Sequence, residues 1–498
     1  MLGERKAAAT QKLGFIARGG GLAAIVAAQD GLKLVWRKAW HSTMRQIERA
    51  QTRMGDNLPI DKDYSWFDRL VEWAYKNRVK KERFPRDIKI ALSLTRLDLS
   101  FNDLYELPKE IGNLTNLAEL NLMENKLSEL PKEIGNLINL TKLDLSFNKL
   151  SELPKEIGNL TNLTELSIEG GKLSELPQEI RNLTNLAWLE IRGNNLSKLP
   201  KEIGNLINLT NLIVADSAIS ELPKEIGNLI NLTRLELRDN NISELPKEIG
   251  NLINLTDLDL MGNNLSELPK EIGNLINLTH LDLIDNNLSE PPEWIGNLTN
   301  LTELSIGYGA LSELPEWIGN LTNLMRLDLW SNNLSKLSER IGNLTNLTWL
   351  YVSSNKLSEL PKEIGNLTNL TELIIRDSAL SELPKEIGNL TNLKELDLRG
   401  NNLFKLPKEI GNLINLTRFG LSLNNLSKIP KEIENLTNLK ALSIGGSALS
   451  ELPEWIGNLT NLADIYLSYN KLSKEDIEFL CERLPQRNIL NDFDDESF

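Results

Sequence analysis

The sequence predicts an α/β solenoid, a stack of similar coils with a parallel β-sheet on the concave side and short helical turns outside. A 23-residue unit recurs without an insertion from Leu94 to the copy that begins at Leu462, which makes 17 units. Leucine and asparagine are over-used for a mixed core, and 498 residues exceed what one compact core usually holds. Because one such unit cannot bury its leucines alone, the units must stack.

Each unit joins a strand pattern to a turn pattern. The first part reads Leu-x-x-Leu-x-Leu-x-x-Asn-x-Leu, as from Leu117, and its Leu-x-Leu alternation indicates a short strand with one buried face. The second part reads Leu-Pro-Lys-Glu-Ile-Gly-Asn-Leu, as from Leu130. There the proline presets a helical turn and the glycine permits a left-handed exit. We expect the ninth residue, such as Asn125, to bind buried backbone groups of adjacent coils. The alternative is a row of ligand contacts.

The unit resembles the intracellular type of leucine-rich repeat that occurs in the Ras-binding scaffold group and in bacterial relatives. The resemblance covers residues 84–472 and implies a horseshoe that binds a partner on its concave face. It implies a protein partner, such as a small GTPase or another signalling protein, without identifying that partner.

Charge and pattern divide the chain into four predicted regions. These are a basic helical N-terminal region with a cap (1–83), the repeat array (84–472), a C-terminal capping helix (473–490) and an acidic disordered tail (491–498). Residues 1–93 carry 19 Lys/Arg against 10 Asp/Glu, whereas the whole chain has a net charge of −14. Because phosphate would be repelled by the acidic array, we expect no nucleic-acid partner.

The ends of the array carry cap signals. Ser65-Trp66-Phe67-Asp68 resembles a capping box before an amphipathic helix, and Ser473-Lys474-Glu475-Asp476 opens a second helix. Residues 30–54 place tryptophans beside a basic residue at every fourth position. This segment predicts either weak contact with an anionic membrane or a helix docked on the cap.

The residue content argues for a cytoplasmic, non-catalytic protein without a cofactor. Cys481 is the one cysteine, so no disulfide framework can form within the chain. Nearly every unit also carries Asn-Leu-Thr or Asn-Leu-Ser, an impractical density of glycosylation acceptors for a secreted eukaryotic protein. A short apolar run at 19–28 is the remaining argument for export. There is no phosphate-binding loop, and His41 and His280 are too far apart in sequence to suggest a metal site or a triad.

The third, fifth and seventh residues of each unit are expected on the concave face, and they differ from unit to unit. Aromatic and arginine side chains are the types that dominate interface energies, and they concentrate in units 11 to 13. The predicted partner-binding residues there are Arg326, Asp328, Trp330, Trp349, Tyr351, Glu372, Ile374 and Arg376. A second, weaker group comprises Trp188, Arg192, Ile213, Arg234, Arg238, Met261 and Ile284.

Five units form a subtype. The ninth-position asparagine is replaced in each by Gly171, Ser217, Gly309, Ser378 or Ser447, and the fifth position is uncharged. Duplication of a repeat subtype explains them most simply. Alternatively, these uncharged units interrupt a row of acidic side chains on the concave face, at intervals that match periodic contacts on a partner.

The sequence as a whole therefore predicts a scaffold that binds a protein on its concave face. The alternative is a membrane-recruited adaptor or a bacterial effector-type protein that uses its basic N-terminal helix.

Overall fold

The computed structural model describes residues 63–484 and 488–491. The predicted helix within 30–54, the apolar run at 19–28 and almost all of the acidic tail lie outside the described residues. The described residues from Trp66 onward form one compact unit.

Within the described residues, eighteen short strands, β1 to β18, build one parallel sheet, and each pairs with its neighbours in the chain. From β1 to β17 the register advances by one repeat per strand, so Arg96 pairs with Glu119 and Trp349 with Glu372. The strands are Arg96–Asp98, Glu119–Asn121, Lys142–Asp144, Glu165–Ser167, Trp188–Glu190, Asn211–Ile213, Arg234–Glu236, Asp257–Asp259, His280–Asp282, Glu303–Ser305, Arg326–Asp328, Trp349–Tyr351, Glu372–Ile374, Glu395–Asp397, Arg418–Gly420, Ala441–Ser443, Asp464–Tyr466 and Asn488–Leu490.

A 3-10 turn follows each strand from β1 to β16. The turns are Lys109–Asn113, Lys132–Asn136, Lys155–Asn159, Gln178–Asn182, Lys201–Asn205, Lys224–Asn228, Lys247–Asn251, Lys270–Asn274, Glu293–Asn297, Glu316–Asn320, Glu339–Asn343, Lys362–Asn366, Lys385–Asn389, Lys408–Asn412, Lys431–Asn435 and Glu454–Asn458. The predicted solenoid of strands and short turns is confirmed.

The role predicted for the turn glycine is wrong. These glycines do not have positive φ; they lie where the next coil approaches most closely. A Cβ built on Gly158 would lie 2.6 Å from the carbonyl oxygen of Glu179. Glycine is therefore used for close packing between coils.

The leucine and isoleucine positions form one continuous core along the array. In the unit from Leu117, Leu120, Leu122 and Leu127 are at most 1% exposed. Since every coil buries the same positions against the next, the side chains left on the outer surface of the sheet are free to differ.

Helices close both ends of the described array. Helix α1 (Ser65–Lys76) buries Phe67, Leu70 and Trp73, and α2 (Ile88–Ser93) is capped by Asp87. Ser65 is itself the first residue of α1, and its backbone N–H and hydroxyl donate to Asp63 upstream. Neither of these hydrogen bonds is part of the capping box that the sequence predicted between Ser65 and Asp68.

At the other end, α3 (Lys474–Arg483) begins with the predicted capping box between Ser473 and Asp476. It buries Ile477 and Leu480 on the last coil. Two features differ from the sequence-based expectation. Strand β18 extends the sheet beyond α3, where the capping helix was expected to continue to residue 490, and Cys481 on α3, which a role as a structural thiol would bury, is exposed. None of the helices in the described ranges is long and apolar enough to cross a lipid bilayer.

Candidate functional site

Three neighbouring strands bring the predicted partner-binding residues together. Along β11, β12 and β13 the third positions Arg326, Trp349 and Glu372 lie side by side. The fifth positions Asp328, Tyr351 and Ile374 form the adjacent row. We call the outward side chains at positions three, five and seven of each unit the strand face.

The aromatic rings on this face contact one another. Trp330 stacks on Tyr351, with centroids 5.9 Å apart and planes 13° apart, and Trp349 meets Tyr351 edge to face at 5.4 Å. The guanidinium of Arg326 lies 4.8 Å from the centroid of Trp349. Trp330 Nε1 also donates to Ser354 Oγ at 3.1 Å, which fixes the orientation of the indole. These contacts hold half-buried rings rigid, which lowers the entropy lost on binding.

Tyr308 belongs to the same cluster and is missing from the sequence prediction. Its ring meets Trp330 edge to face at 4.5 Å, and it is 46% exposed. Tyr308 has φ 50°, because the eighth residue of every unit is left-handed. That conformation costs a bulky L-residue roughly 1 kcal/mol. The available signal was that Tyr308 precedes Trp330 by 22 residues, which places the two on adjacent coils of a 23-residue repeat. We call Tyr308, Trp330, Trp349 and Tyr351 the aromatic cluster.

Charged side chains border the cluster. Burial raises the pKa of Asp328 above its usual range, against the opposing effects of the Trp330 backbone N–H and the Arg326 charge. Arg376 pairs with Asp397 at 2.7 Å, and Arg399 reaches the same carboxylate. Burial alone would raise the pKa of Asp397, but the hydrogen bonds from Arg399 and the charge of Arg376 hold it below its ordinary value. Arg376 and Arg399 therefore share one carboxylate, which compensates part of their charge within the array.

Ile374 differs from the prediction, because it is only 7% exposed. It contributes packing beneath the face rather than surface for a partner. The other seven predicted residues retain at least partial exposure.

The weaker second group is organised around one buried carboxylate. Arg192, Arg234 and Arg238 approach Glu236 at 2.6, 2.9 and 3.2 Å, and the Glu236 side chain is 3% exposed. Ile213 is 3% exposed. Arg192 reaches Glu236 from another coil, whereas Arg234 and Arg238 belong to the same unit as Glu236, and much of the charge of all three is used internally.

The acidic fifth positions have a structural role that the sequence analysis missed. The carboxylates of Asp259, Asp282 and Asp328 accept a hydrogen bond from the backbone N–H two residues later, at 3.0, 2.9 and 2.9 Å. In two units of the neutral subtype, which lack this carboxylate, a serine hydroxyl of the preceding coil accepts the equivalent hydrogen bond. Ser146 accepts it from the backbone N–H of Glu169, and Ser353 accepts it from the backbone N–H of Arg376. One carboxylate oxygen of each aspartate is left to face the surface.

Asparagines form two ladders. The ninth-position side chains bind buried backbone, as expected: Asn263 Nδ2 donates to Leu237 and Leu260 oxygens, and its Oδ1 accepts from the N–H of Ile242. A second, unpredicted ladder uses the last residue of each unit, as in Asn277 to the Ile253 oxygen at 2.8 Å. Asn277 lines a surface groove of about 960 Å³, together with threonines that bind backbone in the same way. The groove is explained by these structural bonds.

Comparison with known proteins decides the family. A family model described as a leucine-rich repeat region matches residues 78–186, 166–237, 223–310, 306–378 and 373–484. The chain belongs to the leucine-rich repeat family. The comparison with curated proteins gave no match.

Solved leucine-rich repeat structures resemble the chain over most of its length. A leucine-rich repeat protein of Leptospira interrogans is 36% identical, with a TM-score of 0.63 over 81% of this chain and 98% of that one. The plant peptide hormone receptor RGFR1, solved in complex with RGF2, is also 36% identical, with a TM-score of 0.61 over 79% of this chain and 73% of the receptor chain. An internalin of Listeria monocytogenes is 25% identical, with a TM-score of 0.54 over 67% and 88%. Leucine-rich repeat arrays generally serve as protein-interaction scaffolds, and bacterial relatives are among those similar to this chain.

Proposed function

We propose that this protein is a non-catalytic scaffold that captures a protein partner on the strand face, with the aromatic cluster as the principal contact. The observation that carries the proposal is the cluster itself: four rings, packed on one another and open to solvent, across three consecutive coils. Such rigid aromatic anchors are the usual centres of interface energy.

Two further facts support this proposal. Tyr308 is 46% exposed and its ring meets Trp330 edge to face, so the cluster presents aromatic surface from a third coil. A similar array, the receptor RGFR1, was solved with a bound peptide hormone. We place the protein in the cytoplasm and its partner among signalling proteins, such as a small GTPase.

The alternative, a membrane-recruited adaptor or effector-type protein, depends on residues 30–54, which the structure does not describe. No described residue favours it over the scaffold.

The test is capture of partners by the full chain from its native lysate, with mass spectrometry of the bound proteins. The variant Trp349→Ala/Tyr351→Ala should lose more than 90% of the specific capture, because it removes the centre of the cluster. Its melting temperature should fall by only a few degrees.

Tyr105→Ala is the matched control, since Tyr105 is 64% exposed and lies outside the cluster. This control should capture the same proteins as the unaltered chain. Equal capture by the cluster variant and the control would refute the proposal.

A further inference from the structure

The strand face of units 8 to 10 is acidic, in contrast to the units on either side. Its nine outward positions hold four carboxylates, Asp257, Asp259, Asp282 and Glu303, and no Lys or Arg. The equivalent positions of units 5 to 7 hold three arginines and two glutamates, and those of units 13 to 15 hold three arginines and three carboxylates. A charged partner segment therefore meets an acidic zone that lies between units whose charges nearly balance.

The carboxylates of Asp259 and Asp282 are weakly compensated within the array. In the described part of the chain, no Lys or Arg lies within salt-bridge distance of either one. Burial raises the pKa of both to about 6, with the backbone hydrogen bonds opposing the shift. Asp282 and Glu236 add repulsion at Asp259, and only Arg238 acts in the other direction. Two ionised aspartates held here cost stability unless a cation arrives from outside.

An apolar row runs beside the acidic one. The seventh positions of units 8 to 11 are Met261, Ile284, Gly307 and Trp330, and they lead directly to the aromatic cluster at Tyr308. Acidic and apolar rows thus cross the same consecutive strands in parallel. With strands roughly 4.8 Å apart, the zone from unit 8 to unit 12 spans about 20 Å.

On the basis of the proposed function, we propose that the partner presents a cationic, amphipathic peptide segment. Its Lys or Arg side chains pair with Asp259 and Asp282, and an apolar or aromatic residue of the same segment packs on the aromatic cluster. Charge complementarity selects this occupant over a neutral or acidic segment, because no Lys or Arg of the described residues lies within salt-bridge distance of Asp259 or Asp282.

The test is selection from a library of random 12-residue peptides displayed on phage, with the full chain as bait and Trp349→Ala/Tyr351→Ala as the counter-selection bait. Binding of the selected peptides, synthesised with a fluorophore, is then measured by anisotropy. Two variants of equal charge are compared: Asp259→Asn/Asp282→Asn and the matched control Asp98→Asn/Asp144→Asn. The asparagine is compatible with the fold, since Asn121 occupies the same unit position and its Oδ1 accepts the same backbone N–H at 2.9 Å.

We expect the selected peptides to be rich in Lys or Arg next to an apolar residue. Their affinity should fall about ten-fold in Asp259→Asn/Asp282→Asn and less than two-fold in the control, the first being about 1.4 kcal/mol. Peptides that need the aromatic cluster but bind both aspartate variants equally would overturn this inference and leave the scaffold proposal standing. Failure to select any peptide that depends on the cluster would count against both.

Discussion

The buried asparagine ladder and the strand face use polar side chains in opposite ways. At the ninth position, both ends of Asn263 bind backbone of the same and the neighbouring coil. At the fifth position, Asp282 uses one oxygen for the N–H of Ile284, and its other oxygen faces the surface. Where all the polar atoms of a side chain bind backbone, as in Asn263, the residue is required for stability. Where one polar atom remains at the surface, as in Asp282, that atom can bind a partner.

The largest expected effect is on the ladder. Asn263→Ala removes the acceptor of the Ile242 N–H and the donor to three carbonyl oxygens, and Asn263 is only 6% exposed. Leaving those groups unsatisfied should lower the free energy of unfolding by about 3 kcal/mol. Urea unfolding followed by circular dichroism measures this change, and partner capture per folded molecule should remain the same.

Ser447→Ala is the control at the same unit position. Ser447 Oγ is buried and has no hydrogen-bond partner among the described residues. Its removal should be neutral or slightly stabilising. A loss of stability at Ser447 as large as that at Asn263 would show that the ninth position is sensitive to size rather than to hydrogen bonding.

The fold was predictable from the sequence because one constraint repeats 17 times. Leu120 and Leu122 of one unit have the same surroundings as their counterparts in the next, so periodicity alone predicts their burial. Interactions between coils were not predictable in the same way. The turn glycine, such as Gly158, depends on how closely the next coil approaches, and strand β18 depends on the path of the chain after α3.

A smaller effect distinguishes the residues of the predicted site that contact a partner from those that pack inside the array. Ile374 is 7% exposed, so Ile374→Ala should cost about 2 kcal/mol of stability through the cavity it leaves. Tyr351→Ala on the neighbouring strand should cost less stability and much more binding. Unfolding midpoints and partner capture, measured on both variants, test whether stability falls more in Ile374→Ala and binding falls more in Tyr351→Ala. If Ile374→Ala lost partner capture without losing stability, Ile374 would contact the partner directly, as the sequence predicted.

The sequence located the candidate site but not its exact membership. Unit positions predicted which side chains point outward, and Trp330, Trp349 and Tyr351 do meet. Two errors have physical reasons. Ile374 lies at an outward position, yet the packing around it leaves it buried. Tyr308 lies at the left-handed eighth position, where the turn of the backbone brings its ring against Trp330. Neither effect is visible in the pattern of one unit.

The smallest expected effect has opposite signs at two equivalent aspartates. Burial raises the pKa of Asp282 from 3.8 to about 6, with Asp328 and Asp257 adding repulsion and Arg238 opposing it. Ionisation therefore costs the folded chain more than the unfolded one, and stability falls as the pH rises from about 4 through 6. Asp282→Asn should thus stabilise the protein by about 1 kcal/mol at pH 7.5 and by much less at pH 4.

Asp397→Asn provides the contrast, because Arg399 and Arg376 hold the pKa of Asp397 below its ordinary value. The charged carboxylate of Asp397 stabilises the folded state at every pH above the ordinary aspartate pKa. Asp397→Asn should therefore destabilise the protein at pH 7.5, and this loss of stability should disappear in acid, where the native carboxyl is protonated too. Urea unfolding at both pH values separates the two aspartates. If Asp282→Asn were destabilising at pH 7.5, Asp282 would have an internal cation, and its carboxylate would no longer be available to one from a partner.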